Sequence, residues 1–155
     1  MRHVLSAVVQ NVPGVLAMIA ALELREQQIV RGDIAEKLAI RQEFESSLTA
    51  ALPRAIIVGA AAERLWNTVS VAMPEVPDCR QRWVVKLDKL GFAVSTGSAC
   101  SSGKEQPSHV LRSMDIPPAV ASRALRFSSG WETRPADWSE LLEALQRAFK
   151  ALSAT

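Results

Sequence analysis

A chain of 155 residues with 48% hydrophobic and 22% charged side chains carries enough apolar surface for one compact domain with a real core, and its balance argues against disorder. The formal net charge of +2, with Lys and Arg scattered rather than in runs, makes no surface that would call for nucleic acid or a membrane. Two cysteines, Cys79 and Cys100, show no Cys-x-x-Cys or Cys/His ligand spacing, so no metal site is expected, and reduced thiols in a cytoplasmic protein are the simplest reading.

The opening Met-Arg-His-Val-Leu-Ser-Ala-Val-Val is only weakly apolar and is soon interrupted by Gln10, Asn11 and Pro13, too short for a span and a poor signal peptide. From Val12 to Leu24 the residues are apolar nearly all round, the pattern of a mostly buried helix, with Asn11 as its cap and Pro13 in its first turn. A second helix is predicted over Ile34 to Leu52, with Phe44, Leu48 and Leu52 inward in steps of four and Arg41, Glu43 and Glu45 outward. Gly32-Asp33 either breaks the two helices or bends one. After Pro53, Ala55-Ile56-Ile57-Val58 reads as a short strand, and Thr68 to Met73, stopped by Pro74, as a half-buried one.

A helix over Arg80 to Leu90 places Trp83, Leu87 and Leu90 on one side, and Gly91 is suited to end it. Phe92 to Ser95 is a further strand. Past residue 103, Pro107 to Met114 is predicted helical with Val110 and Leu111 inward, and Pro117-Pro118 starts another short helix. Ala124 to Ser128 alternates as a strand, stopped by Ser129-Gly130. Thr133 and Pro135 open a last helix striped by Trp138, Leu141, Leu142, Leu145, Phe149 and Leu152. This order predicts an α/β (α+β) fold, a small, mostly antiparallel sheet of about four short strands covered by helices.

Between the strand at Phe92 and the helix near Pro107 lies Ser95-Thr96-Gly97-Ser98-Ala99-Cys100-Ser101-Ser102-Gly103. Serine, alanine and glycine cannot bury a cysteine deeply, so the Cys100 thiol is reachable. Exposure alone leaves two readings open: a thiol on a connecting loop, or a reactive nucleophile in a tuned environment.

That stretch, together with Gln106-Pro107-Ser108-His109-Val110-Leu111-Arg112 and Leu125-Arg126-Phe127-Ser128-Ser129-Gly130, resembles the carboxy-terminal part of the cysteine desulfurases, pyridoxal-phosphate enzymes of the class V aminotransferase family. Asn67-Thr68-Val69-Ser70-Val71 and Asn11-Val12-Pro13 agree in the same order. The resemblance implies a domain over 11–155, like the small domain of fold-type I pyridoxal-phosphate enzymes, preceded by a non-matching segment at 1–10. It implies that Cys100 is the catalytic cysteine, which takes the sulfur of L-cysteine as a persulfide and leaves alanine. Arg126, whose planar fork of donors suits a carboxylate, falls at the substrate-binding arginine, and Asn11 at a second substrate-binding position. Read without the resemblance, the alternative for Arg126 is a surface arginine on an edge strand. His109 falls in a matching block and is expected to cap or pack rather than to catalyse.

Several positions depart from the family pattern. The Schiff-base lysine and the residues that hold the cofactor ring are expected upstream of Asn11, where this chain has no room for them, and none of its five lysines has the family's Ser-x-His-Lys context. No cofactor is therefore expected to bind this chain alone. Val9 stands where the family has a threonine, Trp66 where it has proline and Trp131 where it has arginine. The partners implied are a cofactor-bearing domain, or self-association through the amino-terminal helix, and a sulfur-acceptor protein, as in iron–sulfur cluster assembly. A non-catalytic persulfide carrier, a partner-binding module and the remnant of a truncated gene are the alternative readings.

Overall fold

The computed structural model describes residues 11–76, 79–96 and 108–154, and among these are six helices and a three-stranded antiparallel sheet. The chain divides into two compact units, Met1–Glu36 and Lys37–Thr155.

In the first unit, helix α1 (Val12–Val30) starts where its cap predicts: the Gly14 N–H donates to Asn11 Oδ1 at 3.0 Å, and Pro13 lies in the first turn. It continues six residues past Leu24, because Arg25, Glu26, Gln27 and Gln28 are good helix formers and nothing among them stops the ladder. Gly32, at φ +86°, then breaks the chain in the left-handed region, and a second helix starts at Asp33. Although apolar enough for burial, α1 has no buried residue; Leu16, Met18 and Leu22 are all about 60% exposed.

The second unit holds most of α2 (Asp33–Ala51), then β1 (Ile56–Ile57), β2 (Thr68–Ala72), α3 (Cys79–Asp88), α4 (His109–Ser113), α5 (Pro118–Ala121), β3 (Ala124–Ser128) and α6 (Pro135–Ser153). The sheet order is β1-β2-β3; Ile57 pairs with Val71, and Val71 with Leu125. Alternation sends Val69, Val71, Leu125 and Phe127 to one face, where α2, α3 and α6 cover them. Phe44 and Leu48 of α2, Trp83 and Leu87 of α3, and Trp138, Leu141, Leu145 and Leu152 of α6 are buried as their spacing predicts. The small residues Ala144 and Ala148 let α6 lie close to its neighbours.

Further expectations differ from the structure. The segment Phe92 to Ser95, predicted as a strand, contributes a single antiparallel pair, Ser95 with Arg126, at the free edge of β3. Val110, predicted inward, is about half exposed, since α4 is one short turn with no face long enough to bury. Arg41 and Glu45, predicted outward, are respectively buried and half-buried on α2: Arg64 forks onto Glu45 at 2.7 and 2.9 Å, and Arg41 Nη1 donates to the carbonyls of Arg64 and Leu65 at 3.0 and 2.8 Å. An arginine from a distant loop thus turns what reads as a solvated helix face into a covered ion cluster.

Helix α6 is opened by Arg134 rather than by Thr133. The Asp137 carboxylate accepts the Arg134 N–H at 2.8 Å and its guanidinium at 2.9 Å, which holds the carboxyl below its ordinary range, chiefly through the side-chain hydrogen bond. Because the folded value is the lower one, this contact supports the fold at and above the ordinary carboxylate range, and the support is lost as pH falls through the depressed value. Asp137→Asn is expected to flatten that part of the acid limb in thermal melts followed against pH, with a loss of a few degrees at neutral pH for a cap of this kind.

Candidate functional site

Helix α3 ends in a pair of hydrogen bonds that set the direction of everything after it. Gly91, at φ +88°, donates to the Asp88 carbonyl at 2.9 Å and Phe92 to that of Leu87 at 2.9 Å, the six-to-one and five-to-two pattern of a glycine-terminated helix. From this turn the chain runs along the edge of β3 until Ser95 pairs with Arg126. The Arg126 N–H donates to the Ser95 carbonyl at 2.7 Å, and the Ser95 N–H to the Arg126 carbonyl at 3.2 Å.

On its other side Arg126 is in register with Ser70 of β2. Directly opposed residues of antiparallel strands share a face, so Ser70, Arg126 and Ser95 form one row on the side of the sheet away from the core. The neighbouring rows on that face are Thr68 with Ser128 and Ala72 with Ala124. Small side chains leave the guanidinium as the tallest group there: Arg126 is exposed while Ser70 and Ser95 are half-buried. Its Nη2 lies 3.4 Å from Ser95 Oγ, and among the described residues no carboxylate pairs with it. An exposed cation on a hydroxyl-bearing floor, with no acid among the described residues to neutralise it, can receive a carboxylate in the two-pronged geometry its fork favours.

Cys100 lies outside the described residues. Asn11 belongs to the first unit, where its amide oxygen is occupied in capping α1. His109 is the first residue of α4 and exposed. Trp66 and Trp131, separate departures in the sequence, are one contact: their rings lie 4.7 Å apart and tilted by 57°, just past the ends of β2 and β3. Ser95 is the residue that sequence reasoning passed over as a site. Its type and position mark only the start of a small-residue stretch, and its pairing with Arg126 is a contact across 31 residues.

No family model matches the chain. Among curated proteins it is 36% identical over 136 residues to a cysteine desulfurase of Cereibacter sphaeroides, covering 88% of this chain and 34% of that protein. It is 32% identical over 145 residues to cysteine desulfurase 2 of Trichormus variabilis, covering 94% of this chain and 35% of that one. A NifS-like protein of known structure superposes with a TM-score of 0.75 at 23% identity, over 92% of this chain and 35% of the other, a likeness of fold alone. The chain therefore spans about a third of the length of the curated relatives it matches.

Proposed function

We infer, on the premise that the relatives of this chain are cysteine desulfurases matched over one domain of a larger enzyme, that it carries the sulfur-accepting half of a desulfurase site. In this reading Arg126 holds the carboxylate of L-cysteine and the Cys100 thiolate takes its sulfur. The net exchange balances without an oxidant: L-cysteine and the Cys100 thiol become alanine and a Cys100 persulfide, one sulfur atom moving between them. The persulfide then passes to an acceptor thiol, such as that of a protein assembling iron–sulfur clusters. Asn11, the other residue the resemblance assigns to substrate, keeps its amide nitrogen for that role while its amide oxygen caps α1 within the first unit.

The observation that carries this reading is the exposed guanidinium of Arg126, unpaired with any acid among the described residues and tied through its own peptide to Ser95. Cys100 follows Ser95 by five residues, a tether of at most about 18 Å. One edge of the sheet thus roots both the carboxylate anchor and the stretch that bears the thiol.

Pyridoxal phosphate, the cofactor of that family, acts as an electron sink and is held through a lysine. Lys37 donates to the Thr133 carbonyl at 2.8 Å, Lys86 stands on α3 with Lys89 just beyond it, and Lys150 is near the end of α6. In this reading a lysine-bearing domain completes the site, and α1 offers that domain its apolar surface. On its own the chain self-associates through α1. Light scattering is expected to show concentration-dependent oligomers that dissociate when Leu16, Ile19 and Leu22 are changed to glutamine; a monomer at high concentration speaks against this.

The test of function is incubation with a persulfide donor followed by peptide mass mapping. One added sulfur on Cys100 is expected; label elsewhere, or none, overturns the reading. A sulfur carrier without catalysis shares the labelling, and Arg126→Gln separates the two. With a lysine-bearing domain supplied, the variant loses alanine formation from L-cysteine if Arg126 binds substrate, and it keeps donor labelling in either case.

A further inference from the structure

Arg126 can offer a carboxylate either of two edges, one formed by Nε and Nη2 and the other by Nη2 and Nη1. Both edges need a hydrogen on Nη2, and Nη2 is the atom that Ser95 Oγ faces at 3.4 Å. A hydroxyl that takes one Nη2 hydrogen removes one edge and leaves the other whole. We propose that Ser95 is the positioning residue of this site: its hydroxyl holds one arm of the Arg126 guanidinium, so that a single two-pronged edge is presented to a carboxylate. This rests on Arg126 being the carboxylate anchor.

The frame that makes this possible is rigid where it needs to be. Two backbone hydrogen bonds, at 2.7 and 3.2 Å, lock the Ser95 and Arg126 peptides together, so the hydroxyl and the root of the guanidinium keep a constant separation. Ser70 closes the row on the opposite side with another short side chain, which leaves the long arginine free to lean only along the face. The hydroxyl contact itself is long for a hydrogen bond and neutral on one side, whereas a carboxylate binds at about 2.7–2.9 Å with charge on both. Ser95 therefore orients the fork without competing for it. Alanine at this position keeps the backbone pair and loses only the hydroxyl; threonine keeps both, and its branched carbon suits an extended segment.

The experiment is a titration of the chain with L-alanine, followed by the Nε–Hε resonance of Arg126 in nitrogen-15 spectra and assigned by its loss in Arg126→Gln. The wild-type resonance is expected to shift saturably with L-alanine and to stay still with alaninamide, which lacks the carboxylate. Ser95→Ala is expected to weaken the L-alanine dissociation constant about fivefold, the scale of one weak hydrogen bond to a charged group, and Ser95→Thr to restore it. Equal affinity in Ser95→Ala and wild type overturns the role of Ser95 while the anchor stands. A wild-type resonance that ignores L-alanine, or follows alaninamide equally, overturns the anchor itself and the role of Ser95 with it.

Discussion

Cys100→Ser is expected to lose sulfur acceptance on the order of a thousandfold or more, the scale on which removal of a covalent nucleophile acts. A serine hydroxyl has the right size and place but does not form the polarisable anion that attacks sulfur. The measurement is the rate at which a persulfide donor adds one sulfur to the intact chain, with Cys79 as the internal control. Cys79→Ser is expected to label as the wild type does. The reverse pattern, with Cys79 carrying the label, would remove the reading of Cys100 as the sulfur acceptor.

The second large effect is structural. Glu45 is, among the described residues, the carboxylate shared by two guanidinium groups, those of Arg41 and Arg64, whose side chains are 6% and 17% exposed. Arg64 is bound to it by two hydrogen bonds, which raise the Arg64 pKa above its usual value, and Arg41 Nε stands 3.7 Å away. Glu45→Ala leaves two arginines close together with no counter-charge, and removing one partner of a covered ion cluster costs about 3–5 kcal/mol. Urea unfolding is expected to show a lower midpoint with an unchanged slope. Arg64→Met is expected to cost clearly less, since Arg41 then keeps both Glu45 and its two carbonyl acceptors. A loss below about 1 kcal/mol for Glu45→Ala would mean that the cluster behaves as an exposed surface pair.

Much of the fold was legible because its helices and strands obey their own periods. The stripe on α6 repeats at helical spacing over five turns, so its burial followed from the residues alone; the caps at Asn11 and Gly91 acted where chemistry predicts. Misreadings came where a distant residue intervenes. Arg41 and Glu45 are polar on a helix and read as solvated until Arg64 covers them. Val110 reads as inward until the shortness of α4 leaves it outside. Trp66 and Trp131 are two isolated substitutions in the sequence and one ring contact in space.

The same division holds for the candidate site. Residue type and local order by themselves determined that Cys100 is set among small residues, that Arg126 lies on a strand whose alternation turns it away from the core, and that this segment looks like part of a desulfurase. Only the tertiary structure decided that Ser95 is the neighbour of Arg126. The reason is physical: a strand's own sequence specifies which face each side chain takes, but its partner and register are settled by how the chain packs. Here the turn at Gly91 aims the segment, and the free edge of β3 receives it for one pair of residues.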